Sequence, residues 1–309
     1  METVLSLLPA RAHRGASCER SATARRLARL ACQALIAEAE LTPKPGLVDR
    51  RGPGAHMDLS LALMRRSAFA IEPYFLAMAR ESVGATPCLA LRESLGAIGR
   101  KAEWAMYAAT GGSNSHKGAI WSLGLLVAAA AMDADARASS IVRIAGTIAS
   151  LEDRRVSAGN SHGRLVARKY GVAGARGEAI SGFPHVIRLG LPTLRARRLA
   201  DVSEDVARRD ALLAIMAQLG DTCVLYRGGP AALLSLQQGA AAVIEAGGCE
   251  TSAGWQLFQR LDDRLRALRL SPGGSADLLA ATLFLDAIER RKTTVPTDQY
   301  KLETRYGND

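Results

Sequence analysis

The sequence predicts an all-α protein: a single large globular multi-helix domain, with its functional site built from Gly-rich loops between helices. Three observations carry this. Apolar residues make up 48% of the 309 positions and aromatics only 5%, with Ala and Leu dominant. These two lose least on entering a helix, whereas strand formers are sparse. No stretch alternates apolar and polar residues over the length of a strand, and there is no internal repeat. Finally, segments of helical period are separated repeatedly by polar stretches rich in Gly or Pro.

Residues 1–19 read as a flexible leader, 20–291 as an all-helical catalytic domain and 292–309 as a polar tail. The first helix is expected after Ser21 as cap, with Leu27, Leu30, Ala31, Ala34 and Leu35 on one face, and it stops at Pro43 and Pro45. Asp58 can cap the second, which runs to about Glu81 with a disturbance at Pro73. The third spans roughly Leu89 to Ala109 and ends at Gly111-Gly112. The helix after Lys117 is nearly all apolar, so it belongs in the core. Further helices are expected near 139–152, 160–170, 205–219, 230–246, 252–269 and 274–291.

Charge and cysteine content narrow the function. Forty Lys and Arg against 30 Asp and Glu give a formal charge of +10. That fits solvated basic faces or an anionic partner. Without a block of like charges or basic residues interleaved with aromatics, nucleic acid is the weaker partner and a phosphorylated small molecule the stronger. Cys18, Cys32, Cys88, Cys223 and Cys249 are odd in number and widely spaced, so neither a disulfide framework nor a zinc site is indicated. The N-terminus lacks a secretory signal and the longest apolar run, Leu123 to Met132, is too short for a bilayer. A cytoplasmic protein with no membrane contact is expected.

The polar loops carry the chemistry. Gly111-Gly112, Gly228-Gly229 and Gly273-Gly274 each sit at a helix boundary. Such pairs are often plain C-caps, but they also let backbone amides and a helix N-terminus approach a phosphate. Lys44 and Lys117 stand out because Arg is the usual cation of this chain; lysine acts as a compact charge on phosphate. Asp49, Asp58, Asp221 and Asp277 lie in these loops or at helix starts. They are candidates for N-caps, for Mg²⁺ ligands beside phosphate, or for proton transfer. His56 and His116 can donate to phosphate, and their spacing does not make a zinc site. No Walker loop, G-x-S-x-G elbow or dinucleotide fingerprint is present.

Together the segments "LTPKPGLVDRRGPGAHMDLS", "TGGSNSHKGAIWSLGLL", "RGEAISGFP", "GDTCVLYRGGP" and "SPGGSADLLAATLFL" resemble the triphosphoribosyl-dephospho-coenzyme A synthase family, in the family's order, over about residues 20 to 290. The resemblance is nearer to the malonate decarboxylase branch than to the citrate lyase branch. It implies that the ribose 2′-hydroxyl of 3′-dephospho-coenzyme A attacks C1′ of ATP, adenine leaves, and the triphosphoribosyl group is transferred. The product would pass to a prosthetic-group transferase and an acyl-carrier subunit.

On that resemblance, Lys44, His56, His116, Lys117, Arg227 and the glycines 111, 112, 228, 229, 273 and 274 fall on the phosphates, with Asn114 and Ser275 on ribose or phosphate oxygens. Asp49, Asp58 and Asp221 are the catalytic candidates, and the same three with Asp277 are the Mg²⁺ candidates. The implied inversion at C1′ asks for an acid and a base about 6.5–9.5 Å apart, by analogy with inverting glycosidases. One departure stands out. The family's acidic residue before Asp-Thr, and the Asn after it, are here Gly220 and Cys223. Two other readings use the same residues differently: a Mg²⁺-dependent helical hydrolase of nucleotide or ADP-ribose N-glycosidic bonds, and a non-catalytic basic module binding RNA or acidic partners.

Overall fold

The computed structural model describes residues 8–133, 135–155 and 162–293, with side chains from residue 19 to 290 within those ranges, that of residue 162 excepted. Twelve α-helices and one π-helical turn make up the described residues, which hold no strand, only an isolated bridge between Asp49 and Gly52. The helices are α1 (Leu8–Glu40), α2 (Leu61–Ser82), α3 (Leu89–Thr110), α4 (Lys117–Met132), α5 (Ala138–Ser150), α6 (His162–Tyr170), α7 (Gly174–Ile180), α8 (Leu191–Leu199), α9 (Glu204–Met216), α10 (Thr222–Glu245), α11 (Ser252–Ala267) and α12 (Gly273–Thr293). The π turn, Val186–Gly190, leads directly into α8.

The core is organised around α4. Every residue from Leu123 to Ala131 on it is buried, so this helix has no solvent face and its apolarity is satisfied from all sides. It packs on α1, α2, α3, α5, α7 and α12. The second central helix, α12, buries Leu278, Leu279, Leu283, Phe284 and Leu285 and touches α1, α4, α9 and α10. The pairs α8/α9 and α10/α11 close the far side. Among the described residues no helix is long and apolar enough to cross a membrane.

Several boundaries differ from expectation. Helix α1 begins at Leu8, and Ser21 lies inside it, accepting a hydrogen bond from Arg25 rather than capping. Ser60, not Asp58, caps α2, with its hydroxyl accepting from the Leu63 amide at 3.3 Å. Helix α2 runs on through Pro73, which removes one amide donor from its ladder. The stretch 174–199, in which no helix was expected, holds α7, the π turn and α8. Most of the expected tail, from residue 294, and the GNS of "GNSHGR" lie outside the described residues.

The most consequential shift concerns α10. It starts at Thr222, so "TCVLYRG" is helix rather than loop. The helix then breaks at Gly229, whose φ of 70° and ψ of −168° suit a residue without a side chain, and resumes at Pro230.

Candidate active site

Helices α4, α10 and α12 bring their N-termini together, and two carboxylates sit where they meet. Asp221 caps α10, with its Oδ1 accepting from the Cys223 amide at 2.9 Å. Its Oδ2 accepts from the Ser275 amide at 2.9 Å and hydroxyl at 3.0 Å, which fastens α12 to α10. Asp277, at the start of the second turn of α12, lies against the start of α4 at Gly118. A Cβ on Gly118 would stand 2.0 Å from Asp277 Oδ2, so only glycine lets this carboxylate reach α4. Each helix start contributes positive potential to the same place.

The two acids nevertheless bind protons more tightly than free aspartate. Burial raises Asp221 despite its amide donors. Burial, then Glu38 and Asp221, push Asp277 well above the usual carboxylate range, outweighing the Ala119 amide. Cys223 keeps an exposed surface, yet protein atoms, Asp221 and Asp277 crowd its thiol and raise its pKa. The meeting place of the three helix starts, with Cys223 exposed at its edge, forms the candidate recess. The departure at this position leaves the α10 cap intact, because the Cys223 contact with Asp221 is made by its backbone.

Behind the recess lies a buried polar layer. Lys44 is 1% exposed, and its Nζ donates to the Glu38 carbonyl at 2.6 Å and to Glu38 Oε1 at 2.5 Å. It is therefore sealed under the surface where a phosphate ligand was expected. His116 is also buried; its Nδ1 is 2.9 Å from Ser67 Oγ, which receives a hydrogen bond from Ser115 at 2.7 Å. Burial and the charge of Lys44 lower the His116 pKa to about 3, so its imidazole is neutral.

Asp49 is buried and fully used. It accepts from the Lys44 and Arg51 amides and from the Arg51 guanidinium, which also reaches Asp262 at 2.7 Å. Burial opposes its ionisation, but Arg51 and the amides hold it below the usual range. This geometry makes Asp49 the staple of the "TPKPGLVD" loop rather than an open ligand.

At the rim, His56 Nε2 stands 2.8 Å from Ser271 Oγ, and its Nδ1 is 3.4 Å from Arg227 Nη2 and 3.7 Å from Asp58 Oδ1. Burial and Arg227 lower the His56 pKa, against a smaller upward pull from Asp58. Ser113 donates to the Asp58 carbonyl at 3.1 Å, tying this loop to the Gly111-Gly112 segment. Lys117 is part-exposed and pairs with Glu103 at 2.9 Å. Burial works against its charge, but Glu103 prevails and raises its pKa. Asn114 Oδ1 accepts from the Lys117 amide at 3.1 Å.

The glycines divide in role. The amides of Gly111 and Gly112 both turn back to the Tyr107 carbonyl, which makes this pair a C-cap. Gly228 and Gly229 mark the break in α10, while Gly273 and Gly274 pack against Cys223 and Asp221. The structure thus gathers Asp221, Ser275, Asp277, Gly118 and His116 at one end, with Lys117, Arg227, His56 and Asp58 around the rim. Glu38, Ser67, Glu103 and Ser271 were not foreseen; each is an unremarkable helix or loop residue, recognisable only through its partner. Two other clefts, of about 610 and 440 Å³, lie beside Glu40 and Arg208 and beside Trp255 and Asp263, outside this constellation.

Comparison with known proteins identifies the family. Residues 24–295 match a family model described as CitG: ATP:dephospho-CoA triphosphoribosyl transferase. A Pseudomonas fluorescens Pf-5 protein named probable 2-(5''-triphosphoribosyl)-3'-dephosphocoenzyme-A synthase is 56% identical over 272 residues, covering 86% of this chain and 92% of its own. The Klebsiella pneumoniae 2-(5''-triphosphoribosyl)-3'-dephosphocoenzyme-A synthase is 51% identical over 263 residues, 85% of this chain and 94% of its own. An Azotobacter vinelandii protein, also named a probable synthase of this kind, is 53% identical over 277 residues, with 89% and 95% covered. No solved structure matches. The family match takes in all the segments that meet at the three helix starts, and the chain belongs to the ATP:dephospho-CoA triphosphoribosyl transferase family, as an enzyme that transfers a group.

Proposed function

We propose that this chain transfers the triphosphoribosyl group of ATP to the ribose 2′-hydroxyl of 3′-dephospho-coenzyme A, with release of adenine. The observation that carries the reading is the convergence of three helix N-termini on Asp221 and Asp277. A triphosphate needs positive potential, and a departing base needs an acid that still holds its proton near neutrality.

In the reaction the bond from C1′ to adenine N9 breaks and a bond from C1′ to the acceptor oxygen forms. Asp277, whose burial and acidic neighbours favour its protonated form, supplies the proton that adenine takes up. The acceptor hydroxyl loses its proton to His56 Nδ1 as Arg227 leaves that nitrogen for the triphosphate. Arg227 donates to Nδ1 in the resting enzyme, which leaves Nε2–H to donate to Ser271 and fixes the ring. Asp58, beside Nδ1, steadies the imidazolium that forms. Lys117 and Arg227 hold the triphosphate with the helix starts behind them. Asp221 and Ser275 keep α10 and α12 in register, and Lys44 and Asp49 support the loop that delivers His56.

Magnesium belongs to this reading as part of the triphosphate substrate. Among the described residues no three His, Cys, Asp or Glu side chains gather to hold a metal. Asp49 and Asp221 spend their oxygens on amide, hydroxyl and guanidinium donors. Phosphate oxygens and water supply what the protein does not.

The segments nearest the malonate decarboxylase branch point to the prosthetic-group precursor of that enzyme's acyl-carrier subunit as the product's destination, by way of a separate transferase in the cytoplasm. Mass spectrometry of the products from ATP and 3′-dephospho-coenzyme A tests the reaction. A triphosphoribosyl adduct with stoichiometric adenine is expected; adenine release that ignores the acceptor would make the protein a hydrolase instead.

A further inference from the structure

A second group of cations stands beside the recess, and the reaction as proposed does not use it. Arg92 on α3 is 7% exposed, and its guanidinium lies 5.0 Å over the Trp121 ring. Its Nη1 is 3.6 Å from Asp153 Oδ2, and its buried Nε has no partner. Arg100, about two turns further along α3, takes the same Asp153 oxygen at 2.9 Å. Glu93 is already held by Arg154 and Arg155. Arg164 on α6 and Arg176 on α7 are exposed and close enough to repel Arg92. Burial, with repulsion from Arg176, Arg100 and Arg164, overcomes the pull of Asp153 and holds the Arg92 pKa below its ordinary value.

Position links this group to the chemistry. Trp121 sits one turn beyond Lys117 on α4, and its Nε1 donates to the Ala175 carbonyl at 3.1 Å, which docks α7 and Arg176 against α4. Gly163, the neighbour of Arg164, comes up against Thr222, the residue after Asp221. Guanidinium groups match phosphate oxygens in pairs, and crowded like charges are relieved by an anion. We propose that Arg92, Arg100, Arg164 and Arg176, on α3, α6 and α7, form a second anion site that takes the diphosphate of the acceptor nucleotide. This rests on the transferase reading: two polyanions must lie side by side, and Lys117 with Arg227 serves the first.

The test uses the full chain with Arg164→Gln and Arg176→Gln combined, both being surface positions, and thermal melting to confirm the fold. The KM for 3′-dephospho-coenzyme A should rise about tenfold or more, the loss of one or two charged hydrogen bonds, while the KM for ATP and kcat stay within about twofold. An equal rise for ATP, or an unchanged acceptor KM, overturns the proposal. A second arm does not depend on the reaction: calorimetric binding of inorganic pyrophosphate. A component of that binding that survives Lys117→Ala and is lost in the double Arg variant supports the site even if no triphosphoribosyl product is ever seen. Binding that needs Lys117 and ignores the two arginines refutes it.

Discussion

The Asp277 carboxylate occupies the space that a side chain on Gly118 would fill, since a Cβ there would fall 2.0 Å from Oδ2. The "HKG" and "SAD" segments, far apart in the chain, are therefore made for each other. Gly118→Ala should displace Asp277 from α4, lower stability by about 1–3 kcal/mol and reduce kcat in step. Urea unfolding together with adenine release measures both. A variant of native stability and native rate would show that the contact is incidental.

Asp277→Asn separates stability from activity. The folded-state pKa of Asp277 lies above its unfolded value, so the group favours the folded state fully below about pH 4 and loses that contribution as pH rises through its folded value. At pH 8 the Asn variant should melt above the native protein, and the difference should shrink toward pH 4. Its kcat should fall about 10²- to 10⁴-fold, as for a lost general acid. In the native enzyme kcat should decline as alkali strips the Asp277 proton, a limb that the variant lacks.

The Lys44–Glu38 pair is sealed, with side chains 1% and 4% exposed. Lys44→Ala leaves a buried carboxylate without its cation and should cost about 3–5 kcal/mol in denaturant unfolding. Lys44→Met with Glu38→Leu should recover most of that loss. If Lys44→Ala instead left stability untouched and raised only the KM for ATP, Lys44 would be a phosphate ligand after all.

Ser67→Ala removes the hydroxyl that meets His116 Nδ1 and leaves that nitrogen, like Nε2, without a partner. A loss of about 1–3 kcal/mol is expected. Ser67→Thr, which keeps the hydroxyl, should lose less. Equal losses for the two would assign the effect to packing.

The all-helical fold was legible because each long helix repeats apolar residues at helical spacing, and α4 announced its central place by having no polar face. The segments of the candidate site were legible, since Gly- and Asp-bearing helix starts stand out between apolar runs. What each residue does there was not. Lys44 looked like a phosphate ligand because a lysine between two prolines reads as exposed loop; only the fold supplies Glu38 to bury it. Asp49 and Asp221 looked like open carboxylates, and their amide and guanidinium donors come from loop closure and from α12. The "DTCVLYRGG" stretch read as loop because its glycines drew attention, whereas an Asp cap followed by apolar residues is also a helix start. Short α7 and α8 carry too little periodicity to be seen.

Three converging helix starts also have an electrical meaning. Each lends roughly half a positive charge that belongs to peptide dipoles and not to any titrating group. Neither alkali nor replacement of Lys117 and Arg227 discharges them. The recess therefore keeps a residual pull on polyanions after its side-chain cations are gone, and neutralising those cations one by one should level off at weak nucleotide binding rather than run to none.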